Sequence, residues 1–186
     1  MTTTRITDAT TEPVTLDQAK AHLRVDGSDE DTLITALITA ARHDAENRLG
    51  RALLHSTWRL TLDGFPTRPG SALALQMAPI IAITSVQHYD PAGVLQTLDP
   101  SAYRLADHSL EPTATWPATQ ARLDALQVTY TAGYGTTADK VPAPIVQWML
   151  LAIGDLYANR ERSAERPVVA QGFADALLDP YRVWVV

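Results

Sequence analysis

The chain has 186 residues, 46% of them apolar and 19% charged, with no cysteine and a formal net charge of −6. Such a composition belongs to a globular domain with a core, and it excludes a disulfide scaffold, a thiolate metal site and a cysteine nucleophile. Fifteen basic residues against 21 acidic ones, with Lys20 and Lys140 the only lysines, argue against a protein that grips DNA phosphates, though not against a surface that DNA slides past.

Residues 1–12 are Thr-rich and polar. They lack the apolar core of a secretory signal and are expected to form a flexible arm. No apolar run approaches the ~18 residues that a membrane span needs, so a soluble protein is expected. Thr15-Leu16-Asp17-Gln18 spells a capping box, opening a helix over 15–25 with Leu16, Ala19 and Leu23 on one face. Ser28 is read as the cap of a second helix over 29–49, with Asp29, Glu30 and Asp31 at the positive end of its dipole. Leu33, Ile34, Leu37, Ile38, Ala41, Ala45 and Leu49 form its apolar stripe, and Gly50 is a natural stop.

The period then changes. Trp58 to Leu62 alternates as a half-buried strand does, and Leu73-Ala74-Leu75, Ile80 to Val86, Tyr103-Arg104-Leu105 and Leu126 to Tyr130 read as further short strands. Asp90-Pro91-Ala92-Gly93 lies between Val86–Tyr89 and Val94–Thr97 and predicts a hairpin. Together these segments make a small antiparallel β insertion over about 57–131. A third helix follows Val141-Pro142-Ala143 over 144–160, with proline tolerated in its first turn. Ile145, Trp148, Met149, Ala152, Ile153, Leu156 and Tyr157 make one stripe, and Val146, Leu150 and Leu151 make much of the rest apolar, so this helix is expected to be central and packed on both sides. Residues 163–172 read as a linker, and an apolar tail, FADALLDPYRVWVV, follows it.

Motifs for catalysis are missing. The histidines 22, 43, 55, 88 and 108 are scattered and form no HExxH pair. Asp26 to Asp31 lacks the glycine and the closing glutamate of a calcium loop, and helix-start carboxylates explain it better. Gly133-Tyr134-Gly135 is not a dinucleotide fingerprint, and no phosphate loop or nucleophile elbow occurs. No catalytic residue, cofactor or metal ligand is therefore assigned. The candidate site is an interface. Tyr, Trp and Arg are interface anchors, which singles out Phe173, Leu177, Leu178, Tyr181, Arg182, Trp184 and Val186 in the tail, with Arg160 and Arg162 at the third helix's end. The tail either folds back on its own domain or serves a partner, and the partner reading is the one taken.

Five segments in order carry a resemblance: VTLDQAKAHLRVD with DEDTLITALITAARHDAENRLGRAL, then STWRLTLDGFP, MAPIIAITSVQHYDPAG, VTYTAGYG and VPAPIVQWMLLAIGDLYANRE. Over roughly residues 13–162 the chain resembles the phage head–tail connector (adaptor) family, the gp6-like proteins of tailed phages and the related connectors of gene transfer agents. The resemblance implies an α+β fold, mainly a helical bundle with a β insertion. It implies a structural, non-enzymatic protein that forms a homo-oligomeric ring of about twelve copies at the head–tail junction of a virion or virus-like particle. That ring would lie below the portal protein and extend the DNA channel without binding DNA specifically. Its far side would meet the next tail-proximal protein, a stopper or tail terminator, and its C-terminal segment would reach into the portal. Two rivals stay open: a monomeric module that recruits one partner through the tail, and a small enzyme whose site assembles in space.

Overall fold

A computed structural model describes residues 1–68, 70–159 and 172–183, with the backbone alone for Gly172 and Phe173. The chain forms two units, each built from separated stretches of sequence: Met1–Ala9 with His55–Tyr134, and Thr10–Leu54 with Gly135–Val186.

The second unit is helical. Thr15 caps α1 (Leu16–Leu23) as a reciprocal box: its Oγ1 accepts the Gln18 N–H at 3.2 Å and its own N–H donates to Gln18 Oε1 at 2.9 Å. Arg24 ends α1 in a left-handed conformation, φ 58°. The next helix, α2 (Asp31–Leu49), starts two residues later than expected. Ser28 is not its cap; the Ser28 carbonyl accepts the Asp31 N–H at 3.2 Å in a turn before the helix. The buried face of α2 is Ile34, Ile38, Ala41, Ala45 and Leu49, with Leu33 left 36% exposed. Gly50 closes the helix at φ 65°, a conformation that favours glycine. Helix α3 (Ala143–Ala158) packs on α1, α2 and the short α4 (Gly172–Ala176). It buries Ile145, Trp148, Met149 and Ile153. Val146, Leu150 and Leu151 stay half-buried and Leu156 is 41% exposed, so one copy covers only one side of this helix.

Arg42 and Glu46, on the buried side of α2, carry charge into this core. Arg42 Nε meets Glu12 Oε2 at 2.7 Å and Arg42 Nη1 meets Glu46 Oε2 at 3.4 Å, with the Arg42 and Glu46 side chains 2% and 1% exposed. Glu46 Oε1 also accepts the Leu53 N–H at 2.9 Å. The three charged groups tie the segment before α1 and the loop after α2 to one helix face.

The first unit is made of strands: β1 (Thr2–Thr7), β2 (Ser56–Leu62), β3 (Leu73–Ala74), β4 (Ile80–Tyr89), β5 (Leu95–Thr97), β6 (Tyr103–Ala106), β7 (Ser109–Pro112) and β8 (Leu126–Ala132). A five-stranded sheet runs β1-β2-β8-β4-β5 and a three-stranded one β3-β7-β6, with each of these pairings antiparallel. β2 and β8 alternate strictly, and their register stacks Trp58 on Tyr130, Leu60 on Val128 and Leu62 on Leu126, all buried. Tyr130 donates its hydroxyl to the Gln76 carbonyl at 2.9 Å, and burial raises its pKa to about 12. The opposite face of these strands is Thr57, Arg59 and Thr61 with Gln127, Thr129 and Thr131. The predicted hairpin forms between β4 and β5, closed by Asp90 N–H to Val94 carbonyl at 2.9 Å, with Gly93 at φ 81°.

Two expectations are corrected. Strands are comparable in extent to helices, so the fold is α+β without being mainly a helical bundle. The arm expected over 1–12 is not one: Thr2–Thr7 is an edge strand on β2, held where the Arg5 guanidinium lies 4.6 Å from the centre of the Trp58 ring. Its polarity hid its four β-branched threonines and one isoleucine, which suit a pleated surface. The β unit therefore gains residues from outside the expected 57–131 insertion.

Candidate functional site: the C-terminal segment

The candidate tail begins in α4, where nothing is described of the Phe173 side chain, and Arg160, Arg162, Trp184 and Val186 lie outside the described residues. Between these limits the tail lies on its own helical unit. Leu178 is fully buried and Ala174 is 8% exposed. Leu177, Tyr181 and Arg182 are half-buried. Asp175 Oδ1 accepts from Arg48 Nη1 and from Trp148 Nε1, each at 3.2 Å, and the Arg48 guanidinium stands 5.3 Å from the centre of the Trp148 ring. Arg51 Nε donates to the Tyr181 carbonyl at 2.5 Å. The Val183 N–H donates to the Leu49 carbonyl at 2.9 Å, satisfying one of the carbonyls that a helix C-terminus leaves without a partner. Arg182 Nε lies 3.4 Å from Asp179 Oδ1.

So the fold-back alternative is what residues 174–183 adopt. Leu178 anchors the segment to its own unit, while Leu177, Tyr181 and Arg182 keep part of their surface outward. Sequence reading missed the receiving residues Arg48 and Arg51 and the tail's own Asp175, which meets Arg48 and Trp148. Arg48 and Arg51 near the end of α2 were the available signal, since cations there suit the helix dipole and can reach a returning strand.

Among the described residues, no group of three or more His, Cys, Asp or Glu side chains could hold a metal ion. His22 and His55 are exposed, and His108 pairs with its neighbour Asp107 at 2.6 Å. His88 is 6% exposed, its ring 5.7 Å from that of Phe65, which stacks on Trp116 at 4.6 Å. The acidic stretch before α2 has structural partners: Lys20 Nζ meets Asp31 Oδ1 at 2.7 Å and the Tyr157 hydroxyl donates to the Glu30 carboxylate. Among the described residues, no helix is long and apolar enough to cross a membrane.

Residues 13–92 match the model of the family described as phage gp6-like head–tail connector protein. Over those 80 residues the chain is similar to that family. The match spans α1, α2 and strands β2 to β4, in the order that the sequence resemblance proposed. Among solved structures, a chain in the neck of an empty gene transfer agent (GTA) particle, computed with C6 symmetry, superposes with a TM-score of 0.82 at 22% identity. A chain in the virion of a native gene transfer agent particle gives 0.81 at 23%, and one in the neck of a native GTA particle, computed with C12 symmetry, gives 0.80 at 22%. Each comparison covers 100% of this chain and 97% of the other. At that identity the likeness is one of fold. No curated protein matches the chain.

Proposed function

We propose that the chain is a structural head–tail connector of a virion or gene transfer particle. The observation that carries this reading is the whole-chain likeness to chains of gene transfer agent particles, two of them in necks, with nothing substantial left over on either side. The family match over residues 13–92 supports it independently. Copies form a closed ring of about twelve below the portal, as the sixfold and twelvefold symmetries of the neck structures suggest. The ring continues the DNA channel, and the net charge of −6 keeps DNA sliding instead of sticking. The half-exposed side of α3, with Val146, Leu150, Leu151 and Leu156, is available for neighbouring copies. The work is mechanical and needs no catalytic group.

The tail meets the portal in this reading, and the fold-back changes how. Leu178, Asp175 and the Val183 N–H hold the segment on its own unit. Contact with the portal then falls to Phe173, Leu177, Tyr181 and Arg182, to Trp184 and Val186, and to Arg160 and Arg162. The test is a pair of truncations. Removing 184–186 is expected to leave a folded chain that no longer joins filled heads to tails. Removing 173–186 also strips Leu178 from the helical core and is expected to lower stability as well. Normal yields of tailed particles from the shorter deletion would refute portal docking by the tail. Light scattering of the chain with and without portal protein then separates a ring former from a monomeric recruiter.

A further inference from the structure

The chain enters or leaves the strand unit at three places, after Ala9, before His55 and after Tyr134. All three adjoin one end of the five-stranded sheet, where Thr7 pairs with Thr57 and Ser56 with Ala132. The opposite end consists of the loop after Leu62, the β4–β5 turn and the residues leading into Leu126. Two of these loops are locked together. The Tyr89 N–H donates to the Ala125 carbonyl at 2.9 Å and the Tyr89 carbonyl accepts the Gln120 N–H at 3.0 Å. The Arg122 guanidinium lies 3.7 Å over the Tyr89 ring and grips Asp124 through two bonds of 2.6 and 2.8 Å. In the turn, the Asp90 carboxylate accepts the N–H groups of Ala92 and Val94 at 3.0 Å each and the Gln96 amide at 2.9 Å. Those bonds, the one from Val94 foremost, hold its pKa below the usual carboxylate range. A Cβ on Gly93 would stand 3.2 Å from the Gln120 side chain, so the turn abuts the loop.

On this rigid base stand three large apolar side chains in water. Leu123 is 89% exposed, Val94 54% and Leu95 46%. One exposed leucine is ordinary; here Leu123 and Val94 stand on two interlocked loops, with Leu95 opening β5 next to Val94. Asp90 and Asp124 stand on the same loops, and the guanidinium among them, Arg122, is already committed to Asp124 and Tyr89. We propose that this end of the sheet is a docking knob for a different protein, one that presents an apolar socket rimmed by Lys or Arg. The ordered loops carry no entropy cost of arrest on docking, which favours a preformed contact. A second copy is the poorer occupant on charge, because a chain with 21 acidic and 15 basic residues returns more acid than base to this acidic rim. The proposal rests on the reading of the chain as a neck component, and it assigns a contact to residues other than those of the tail.

The test uses assembled particles that carry the full chain with Leu123 replaced by the photocrosslinker p-benzoylphenylalanine. Irradiation is expected to join the 20.2 kDa chain to a different particle protein. L123D is expected to reduce retention of that protein on purified particles about ten-fold or more, the scale of losing one buried leucine, while L123M keeps it. Leu123 is exposed in the folded chain, so neither substitution disturbs the core. A product of twice the chain's mass shows a second copy at the knob and overturns the proposal, and so does the absence of any product. Particles that lack the chain before irradiation would overturn the neck reading itself, a separate result visible on the same gel.

Discussion

Replacing Arg42 with methionine tests the charged cluster in the helical core. The substitution keeps an unbranched stem of similar reach but deletes the guanidinium that faces Glu12 and Glu46. The two carboxylates do not suffer equally. Glu12 is 26% exposed and can turn to water. Glu46, 1% exposed, keeps the Leu53 N–H but loses the opposing charge. Breaking a buried ion pair from one side costs about 3–5 kcal/mol, most of it the stranded charge. With one strongly stranded carboxylate, the lower part of that range, about 3 kcal/mol, is expected for R42M. The double variant R42M/E46Q removes the buried charge and keeps an oxygen for Leu53, so its cost should shrink to about 1 kcal/mol, the scale of a lost hydrogen bond. Urea unfolding followed by far-ultraviolet circular dichroism reads the helices directly. A loss below about 1 kcal/mol for R42M, or a double variant no more stable than the single one, would refute the stranded-charge argument.

Gly154 lies inside α3, where glycine costs roughly 0.5–1 kcal/mol relative to alanine. An added Cβ would sit 3.5 Å from His22 Nε2, ordinary contact distance, so Gly154→Ala is expected to stabilise the helical unit by about that amount, read from the urea midpoint. His88 supplies a pH dependence. Burial lowers its pKa in the folded chain, and Asp90 opposes this only in part. Between that folded value and the unfolded value near 6.5, the unfolded chain binds more protons, so stability is full above about pH 6.5 and falls as the pH drops below it. Unfolding measured from neutral pH to about pH 5 should therefore show native protein losing stability relative to His88→Gln, and parallel curves for the two would show that His88 contributes nothing.

What was legible in the sequence followed from local rules. The capping box at Thr15 to Gln18, the stop at Gly50, the Asp90–Gly93 turn and the alternation of Trp58–Leu62 and Leu126–Tyr130 each depend on neighbours within a few residues. The misreadings share a different cause. Thr2–Thr7 is a strand because β2 offers an edge and Trp58 a ring for Arg5, and both partners lie more than fifty residues away in sequence. Ser109–Pro112 is a strand for the same reason, with Leu110 buried opposite Leu73. Arg42 and Glu46 were invisible as core residues because the Arg42 charge is met by Glu46 and by Glu12, which lies thirty residues away. The tail was legible as apolar and aromatic, but its receiving groups, Arg48 in α2, Arg51 just past its end and Trp148 in α3, are far from it in sequence.

The two stretches that looked like free ends both turn out to complete something. Thr2–Thr7 supplies the last strand of the five-stranded sheet. Residues 174–183 supply Leu178 to the helical core and an N–H to the end of α2. Among the described residues, exposed or half-exposed apolar surface also lies on the outer side of α3, at Val146, Leu150 and Leu156, and on the locked loops around Leu123. A ring component needs at least two such surfaces, because copies meeting head to tail use different patches on each side and still owe a face to the proteins above and below. The half-buried helix side suits repeated contact between identical acidic chains, since it carries few charges to repel. The acid-rimmed loops suit a basic stranger. That division of labour follows from charge alone, and it makes the two surfaces separable by mutation: substitutions at Leu150 should change the assembly of copies, and substitutions at Leu123 should leave that assembly whole while detaching what sits on it.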